Sequence, residues 1–205
     1  EYQSETEIFT GITSGMSVDN MDGAKMDFFA ANNAFDNLIN IIQSRQTIEE
    51  VGMRLLAEHL MIDTPLVNLI SEDSWEQLNE WISEEKRKYL VVVNDTDSTY
   101  LNILNWYKSE FHTDEVGALF NNSASPYCYK SIDKVTVTRL QNSDLLRLSY
   151  TYTDPAVAQR TLVILNEVFI RLVADIKVSQ TNDIVAYFRA QVDMADARLN
   201  AAEEK

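Results

Sequence analysis

The run Val135-Thr-Val-Thr-Arg-Leu-Gln-Asn-Ser-Asp-Leu-Leu-Arg-Leu-Ser-Tyr-Thr-Tyr-Thr-Asp-Pro155 decides the fold. Val135, Val137 and Arg139 alternate with Thr136, Thr138 and Leu140, and Leu146, Leu148, Tyr150 and Tyr152 alternate with Arg147, Ser149 and Thr151. A period of two puts successive side chains on opposite faces, so each run is a strand with one apolar face. Gln141-Asn-Ser-Asp144 between them is a polar turn, and the whole is a β-hairpin. Asp154-Pro155 then opens a helix. The aspartate accepts hydrogen bonds from the free amides, and the proline stands at the first helical position, where no donor is lost.

The helix carries Ala158, Leu162, Leu165, Phe169, Leu172 and Ile176, a continuous apolar stripe suited to a sheet face or another helix. A thinner stripe follows at Ile184, Phe188, Val192, Ala195, Leu199 and Ala202. It meets Glu203-Glu204-Lys205 without a glycine or proline stop, which predicts a truncated amphipathic helix. Phe188 and Leu199 are its candidate contacts, in an oligomer interface or at a loosely ordered tip.

Two strands alone are marginal in water, so the strand read in Tyr2-Gln-Ser-Glu-Thr-Glu-Ile-Phe-Thr10 is expected to join the hairpin in one sheet. Between Met26 and Leu60 the spacing predicts two helices. The first carries Phe35, Leu38 and Ile41, and a second is opened by a capping box of Thr47 and Glu50. Residues 61–128 read as an acidic helical insert. Asp73 or Ser74 caps a helix bearing Trp75, Leu78, Trp81 and Ile82, whose end carries Glu84-Glu85-Lys86-Arg87-Lys88. A further helix runs from Ser98 to Phe111, and Asn121 to Pro126 is a loop. The fold class is α/β (α+β): a small mixed or antiparallel sheet packed by helices. One domain spans 1–180, and 181–205 begins a long helix.

The chain has 205 residues, 45% hydrophobic and 24% charged, enough for a sizeable core and inconsistent with wholesale disorder. Its net charge is −15. Residues 1–120 hold 7 basic against 22 acidic side chains, while 121–205 hold 10 of each, so the whole excess lies in the first part. Such a surface repels phosphate backbones, which excludes a nucleic-acid partner and a polybasic membrane anchor. The most apolar stretch, Leu162 to Val178, contains Asn166, Glu167, Arg171, Asp175 and Lys177 and does not read as a membrane span. A piece lying between two membrane helices remains consistent with the sequence.

Catalytic signals are sparse. His59 and His112 each lack a partner at metal-ligand spacing, and Cys128, between Tyr127 and Tyr129, lacks the basic neighbour or CxxC spacing that would activate it. One cysteine cannot form an intrachain disulfide. Adjacent carboxylates such as Glu49/Glu50 or Glu84/Glu85 arise by chance among 32 acidic residues. No glycine-rich phosphate loop is present, and no catalytic residue, metal site or cofactor is predicted. Trp75, Trp81 and Trp106 in the insert are the alternative signal, for an extracytoplasmic carbohydrate-binding module, weighed against a role as the insert's own core.

Val135 to Arg139, Asn142 to Tyr150, and Thr153-Asp-Pro155 with Ala158 and Leu165-Asn166 together resemble the chain-length-determinant (Wzz-type) family, the polysaccharide co-polymerases. Asn37-Leu-Ile-Asn-Ile-Ile-Gln-Ser44 followed by Thr47-Ile-Glu-Glu-Val51 is similar to the family's helix pair after its first strand. The segment from Tyr187-Phe-Arg-Ala-Gln191 to Glu204 is similar to the start of its long periplasmic helix. The resemblance covers roughly residues 1–60 and 130–205. The family's connection at 61–128 is shorter, and its cytoplasmic kinase segment is absent here. It implies a bacterial inner-membrane protein whose periplasmic domain assembles into a ring-like homo-oligomer and controls the length or export of a surface polysaccharide. Its partners would be the polymerase or export machinery and the growing polysaccharide. Asp154 and Pro155 would start the helix, and Arg139, Asn142 and Asp144 would shape the hairpin end.

Overall fold

A computed structural model describes residues 1–12, 28–109, 114–141 and 143–176, with side chains in the first helix described from residue 32. The elements in order are β1 (Tyr2–Phe9), α1 (Phe28–Ile42), α2 (Arg45–Met61), α3 (Glu72–Trp81), α4 (Glu84–Leu90), α5 (Thr96–Ser109), α6 (Glu115–Asn121), α7 (Tyr129–Ile132), β2 (Thr136–Arg139) and β3 (Leu145–Tyr152). A last helix, α8, begins at residue 155. Residues 1–168 form one compact unit and residues 169–205 a second, of which 169–176 are described and helical. The apolar stripe's last three residues, Phe169, Leu172 and Ile176, belong to the second unit.

The sheet is antiparallel with order β1-β3-β2, so the N-terminal strand flanks the hairpin as its sequence predicts. Tyr2 stands opposite Tyr152 and Ile8 opposite Leu146. Val137 faces Leu148 across the hairpin. The inner face buries Ile8, Val137, Leu146, Leu148 and Tyr150. On the outer face Glu7 and Arg147 pair at 2.9 Å and Thr136 meets Ser149 at 2.7 Å, polar cross-strand contacts suited to water. α8 buries Val157, Ala158, Thr161, Leu162, Ile164, Leu165 and Val168. That face is wider than the single predicted stripe, as fits a helix covered on more than one side.

α2 is the central helix. Its buried residues include Val51, Leu55, Leu56 and Leu60, and it packs mainly against α5. Tyr107 donates to Glu49 at 3.0 Å, Arg54 bonds Glu50 at 2.9 Å and Asp97 at 3.0 Å, and the Arg54 guanidinium lies 4.2 Å over the Tyr100 ring. Residue numbers rise along one helix as they fall along the other, so the two are antiparallel. α5, within residues 61–128, thus supplies one wall of the main core.

Besides α5, which starts at Thr96 rather than Ser98, three helix starts differ from the sequence reading. Ser44, not Thr47, caps α2, accepting from Thr47 N at 3.2 Å, while the buried Thr47 hydroxyl donates to Ile41 O at 2.7 Å. Ser71, not Asp73 or Ser74, caps α3. Glu84 to Lys88 do not end α3 but form α4, capped by Ser83, with acids in the first turn and cations in the last, the order the helix dipole favours. Each time a serine just upstream in extended backbone supplies the oxygen.

Gly52 sits inside α2 for a steric reason. A Cβ there would lie 2.3 Å from Tyr127 O and 3.3 Å from Ile132 Cδ1. The missing side chain lets the turn before α7 close on α2.

Candidate functional site

Asp154 lies at the junction of two helix N-termini. Its Oδ1 accepts from Ala156 N at 2.9 Å and Val157 N at 3.3 Å, capping α8. Its Oδ2 accepts from Ser71 N at 2.9 Å, in the residue that caps α3. Burial pushes this carboxyl up, but the hydrogen bonds from Ser71, Ser74 and Val157 outweigh burial and hold it below the usual carboxylate range. Pro155 follows at the first helical position and is exposed. Both line a polar pocket of ≈ 420 Å³ with Tyr2, Asp73 and Gln77.

Behind Asp154 lies a buried aromatic and histidine pair. His59 is fully buried, its Nδ1 2.9 Å from the Tyr127 hydroxyl and its Nε2 3.1 Å from Leu69 O. A carbonyl can only accept, so Nε2 carries the proton and the tyrosine donates to Nδ1. Burial pulls the His59 pKa down to about 4, against smaller upward contributions from Leu69 O and Asp154, with Arg160 adding a downward one. Desolvation pushes the Tyr127 hydroxyl well above its ordinary value. Both ring nitrogens are occupied and water is excluded, so this histidine fastens the loop after α2 rather than moving protons. The pairing spans 68 residues and has no local sequence signature.

At the hairpin end Arg139 donates to Ser143 O at 2.9 Å and to Asn32 Oδ1 at 2.9 Å, and its guanidinium stacks 3.7 Å from the Phe35 ring centre. It therefore ties the turn to α1 as well as shaping it. Asp144 is buried, and its main-chain oxygen accepts from Thr10 N at 2.8 Å, binding the turn to the end of β1. Asn142, Phe188, Leu199 and His112 lie outside the described residues. Cys128 is a buried free thiol. Asn166 Oδ1 is buried with no hydrogen-bond partner among the described residues.

The three tryptophans do not form one platform. Trp106 is 8% exposed, and its N–H donates to Asp114 Oδ2 at 3.1 Å, the carboxylate that caps α6 and pairs with Lys86 at 2.6 Å. It is core, which leaves little of its ring to offer a saccharide. Trp81 is half-buried. Trp75 is half-buried and lines a cleft of ≈ 460 Å³ with Asp63, Asn79, Glu84 and Arg87, while its N–H reaches Ile62 O at 3.4 Å. Arg87, which the sequence reading placed only as a helix-end cation, donates to Leu60 O at 2.9 Å, His59 O at 3.4 Å, Ile62 O at 3.4 Å and Asn79 Oδ1 at 2.8 Å. It caps the C-terminus of α2 from a neighbouring helix.

Among the described residues no group of three or more His, Cys, Asp or Glu side chains is placed to hold a metal, and no helix is long and apolar enough to cross a membrane. Set against known proteins, the chain matches no family model, and no curated protein or solved structure matches it.

Proposed function

We propose that this chain is the periplasmic domain of a bacterial inner-membrane polysaccharide co-polymerase, a non-catalytic scaffold that assembles with copies of itself and sets the length, or guides the export, of a surface polysaccharide. The observation that carries the reading is the β1 to β3 pairing. Tyr2 lies opposite Tyr152, so the chain enters the sheet at the end where Asp154 starts α8. The strand, helix pair, hairpin and Asp-Pro helix on which the family resemblance rests are thus parts of one sheet-centred unit. β1 enters the sheet at the end where β3 leaves it, and α8 carries the chain on from there. Charge adds to this. The insert's Asp63, Glu72, Asp73, Glu76, Glu80 and Glu84 are all exposed, so insert faces repel one another and contacts between copies fall on the sheet and α8 half.

Deleting the gene and resolving the surface polysaccharide on a gel tests the reading. Loss of the modal length indicates length control, and total loss indicates export. An unchanged polysaccharide overturns the proposal. A ring, seen by electron microscopy of the full-length protein, whose main interface is built from residues 61–120 overturns the charge argument.

A further inference from the structure

The register of the sheet fixes which backbone groups face outward at its two edges. Thr10 N donates to Asp144 O at 2.8 Å, so the even-numbered residues of β1 turn their N–H and C=O groups to β3, while those of Gln3, Glu5, Glu7 and Phe9 turn away from it. Across the hairpin Leu140 N donates to Leu145 O at 3.0 Å, which by the same alternation leaves the groups of Val137 and Arg139 on the outer side of β2. Among the described residues none of these outward groups has a main-chain partner. β1 also lacks features that blunt an edge: it has no proline or lysine, and its pairing with β3 runs unbroken from Tyr2 to Phe9.

The two edges differ in a way that selects their partner. On β1 the outward backbone groups belong to residues whose side chains lie on the solvent face, and on β2 they belong to Val137 and Arg139, whose side chains lie on the inner face. In a parallel ladder a residue bonds the two neighbours of the residue opposite it. Glu7 of one copy opposite Thr138 of another would donate to Val137 O and accept from Arg139 N, which uses both sets of groups and keeps both solvent faces on one side. An antiparallel contact between β1 and β2 would set a solvent-face side chain opposite a core-face one. Two β1 strands meet antiparallel only with Glu5 on Glu5, Glu5 on Glu7 or Glu1 on Glu7 as the register slides, and like charges directly opposite are destabilising. The solvent face of β2 carries Thr136 and Thr138, preceded by the exposed Lys134. Glu7 is already paired with Arg147, whereas Glu5 holds only the neutral Gln3 amide at 2.9 Å, so Glu5 is the acid that meets Lys134 with least competition.

We propose that copies of this chain join edge to edge, β1 of one pairing in parallel with β2 of the next, so that the three-stranded sheets run on from copy to copy. Such a contact is head-to-tail, and it forms a ring when the rotation between copies closes. The proposal rests on the scaffold reading above and names the surfaces by which the copies meet.

Cross-linking of the full-length protein in its own membrane tests it, because β2 limits the ladder to four residues and the membrane holds the copies together. Gln3→Cys and Thr136→Cys place thiols on the solvent faces of the two edges, while Cys128 is buried. A short bis-maleimide is expected to link a Gln3→Cys copy to a co-expressed Thr136→Cys copy, and to link neither variant to itself. Glu5→Pro, added to the first, removes an outward N–H that the protomer's own sheet does not use. Lys134→Glu, added to the second, reverses the charge that meets Glu5. Each is expected to cut the cross-linked fraction about threefold or more. Should Glu5→Pro lower the urea midpoint of the chain, Lys134→Glu, which alters one exposed side chain, decides alone. Linking of Gln3→Cys to itself, linking of Thr136→Cys to itself, no linking, or linking indifferent to Lys134→Glu overturns the proposal. The gene deletion separates this failure from that of the scaffold reading. A polysaccharide changed by deletion, without the cross-link, removes this joint and leaves the scaffold. The cross-link with an unchanged polysaccharide keeps the joint and removes the co-polymerase reading.

Discussion

Protonating His59 is the perturbation whose consequence the structure defines most sharply. In the folded chain the imidazole is neutral and enclosed, with its pKa drawn down from the ordinary 6.5 to about 4. Unfolding returns it to water, so between those two values the unfolded state binds a proton that the folded state does not. Stability therefore rises with pH through this window: His59 contributes fully above about pH 6.5 and its contribution is lost as the pH falls toward 4. At about 1.4 kcal/mol per pH unit, the gap amounts to roughly 3 kcal/mol, a large part of a typical domain's margin of about 5–15 kcal/mol. Urea unfolding of wild type and His59→Gln at half-unit steps from pH 7.5 to 4 isolates the effect. The variant starts lower, because Tyr127 and Leu69 lose well-placed partners, and its stability falls less steeply with acid than that of wild type. Nitrogen-15 spectra of the ring are expected to show the Nε2–H tautomer persisting below pH 5. A wild-type minus variant difference that is flat across this window, or a His59 resonance titrating near 6.5, refutes the reasoning.

Gly52→Ala gains helix propensity of about 1 kcal/mol yet places a methyl group against Tyr127 O, so it is expected to destabilise by a net 1–3 kcal/mol or so, read as a lowered urea midpoint. An unchanged or raised midpoint counts against the close approach. Asp154→Asn turns one acceptor into a donor facing either Ser71 N–H or the α8 amides, at a cost of about 2 kcal/mol. Because the Asp154 carboxyl is held below its ordinary range, the stability it supplies is present above the unfolded carboxyl pKa and is lost only on acidification through the carboxylate range, below the His59 window. Arg87→Lys keeps the charge but not the fork, and frees the last carbonyls of α2. Amide exchange in residues 59–63 is expected to quicken while that of β3 stays unchanged.

The hairpin and β1 are legible in the sequence because a strand's information is local. Leu146, Leu148 and Tyr150 recur every second residue, and burying one face fixes the register with Val137 and Ile8. Asp154-Pro155 is legible for the same reason, since capping chemistry acts within three residues. The helix starts are less so. Ser44, Ser71 and Ser83 each stand among other plausible cap residues, and which one bonds depends on where the preceding loop turns extended. A single serine upstream of the acidic first turn is the signal that would have separated α4 from α3.

The residues that hold the candidate site in place belong to a different category. His59 reads as isolated because its partners are Tyr127, 68 residues away, and the main chain of Leu69, while Asp154 reaches Ser71 across 83 residues. Trp106 and Trp75 look alike in the sequence, and only the placement of Asp114 beneath one and Arg87 beside the other makes the first a core residue and the second the wall of a groove. Gly52 is the exception that local reasoning could have caught, because a glycine inside an otherwise apolar-patterned helix costs about 1 kcal/mol unless another backbone needs the space. The acidic excess follows the same division. Periodicity places the insert's carboxylates on helices, but their common exposure, with Arg87 and Lys86 turned to carbonyls and to Asp114, is a tertiary fact.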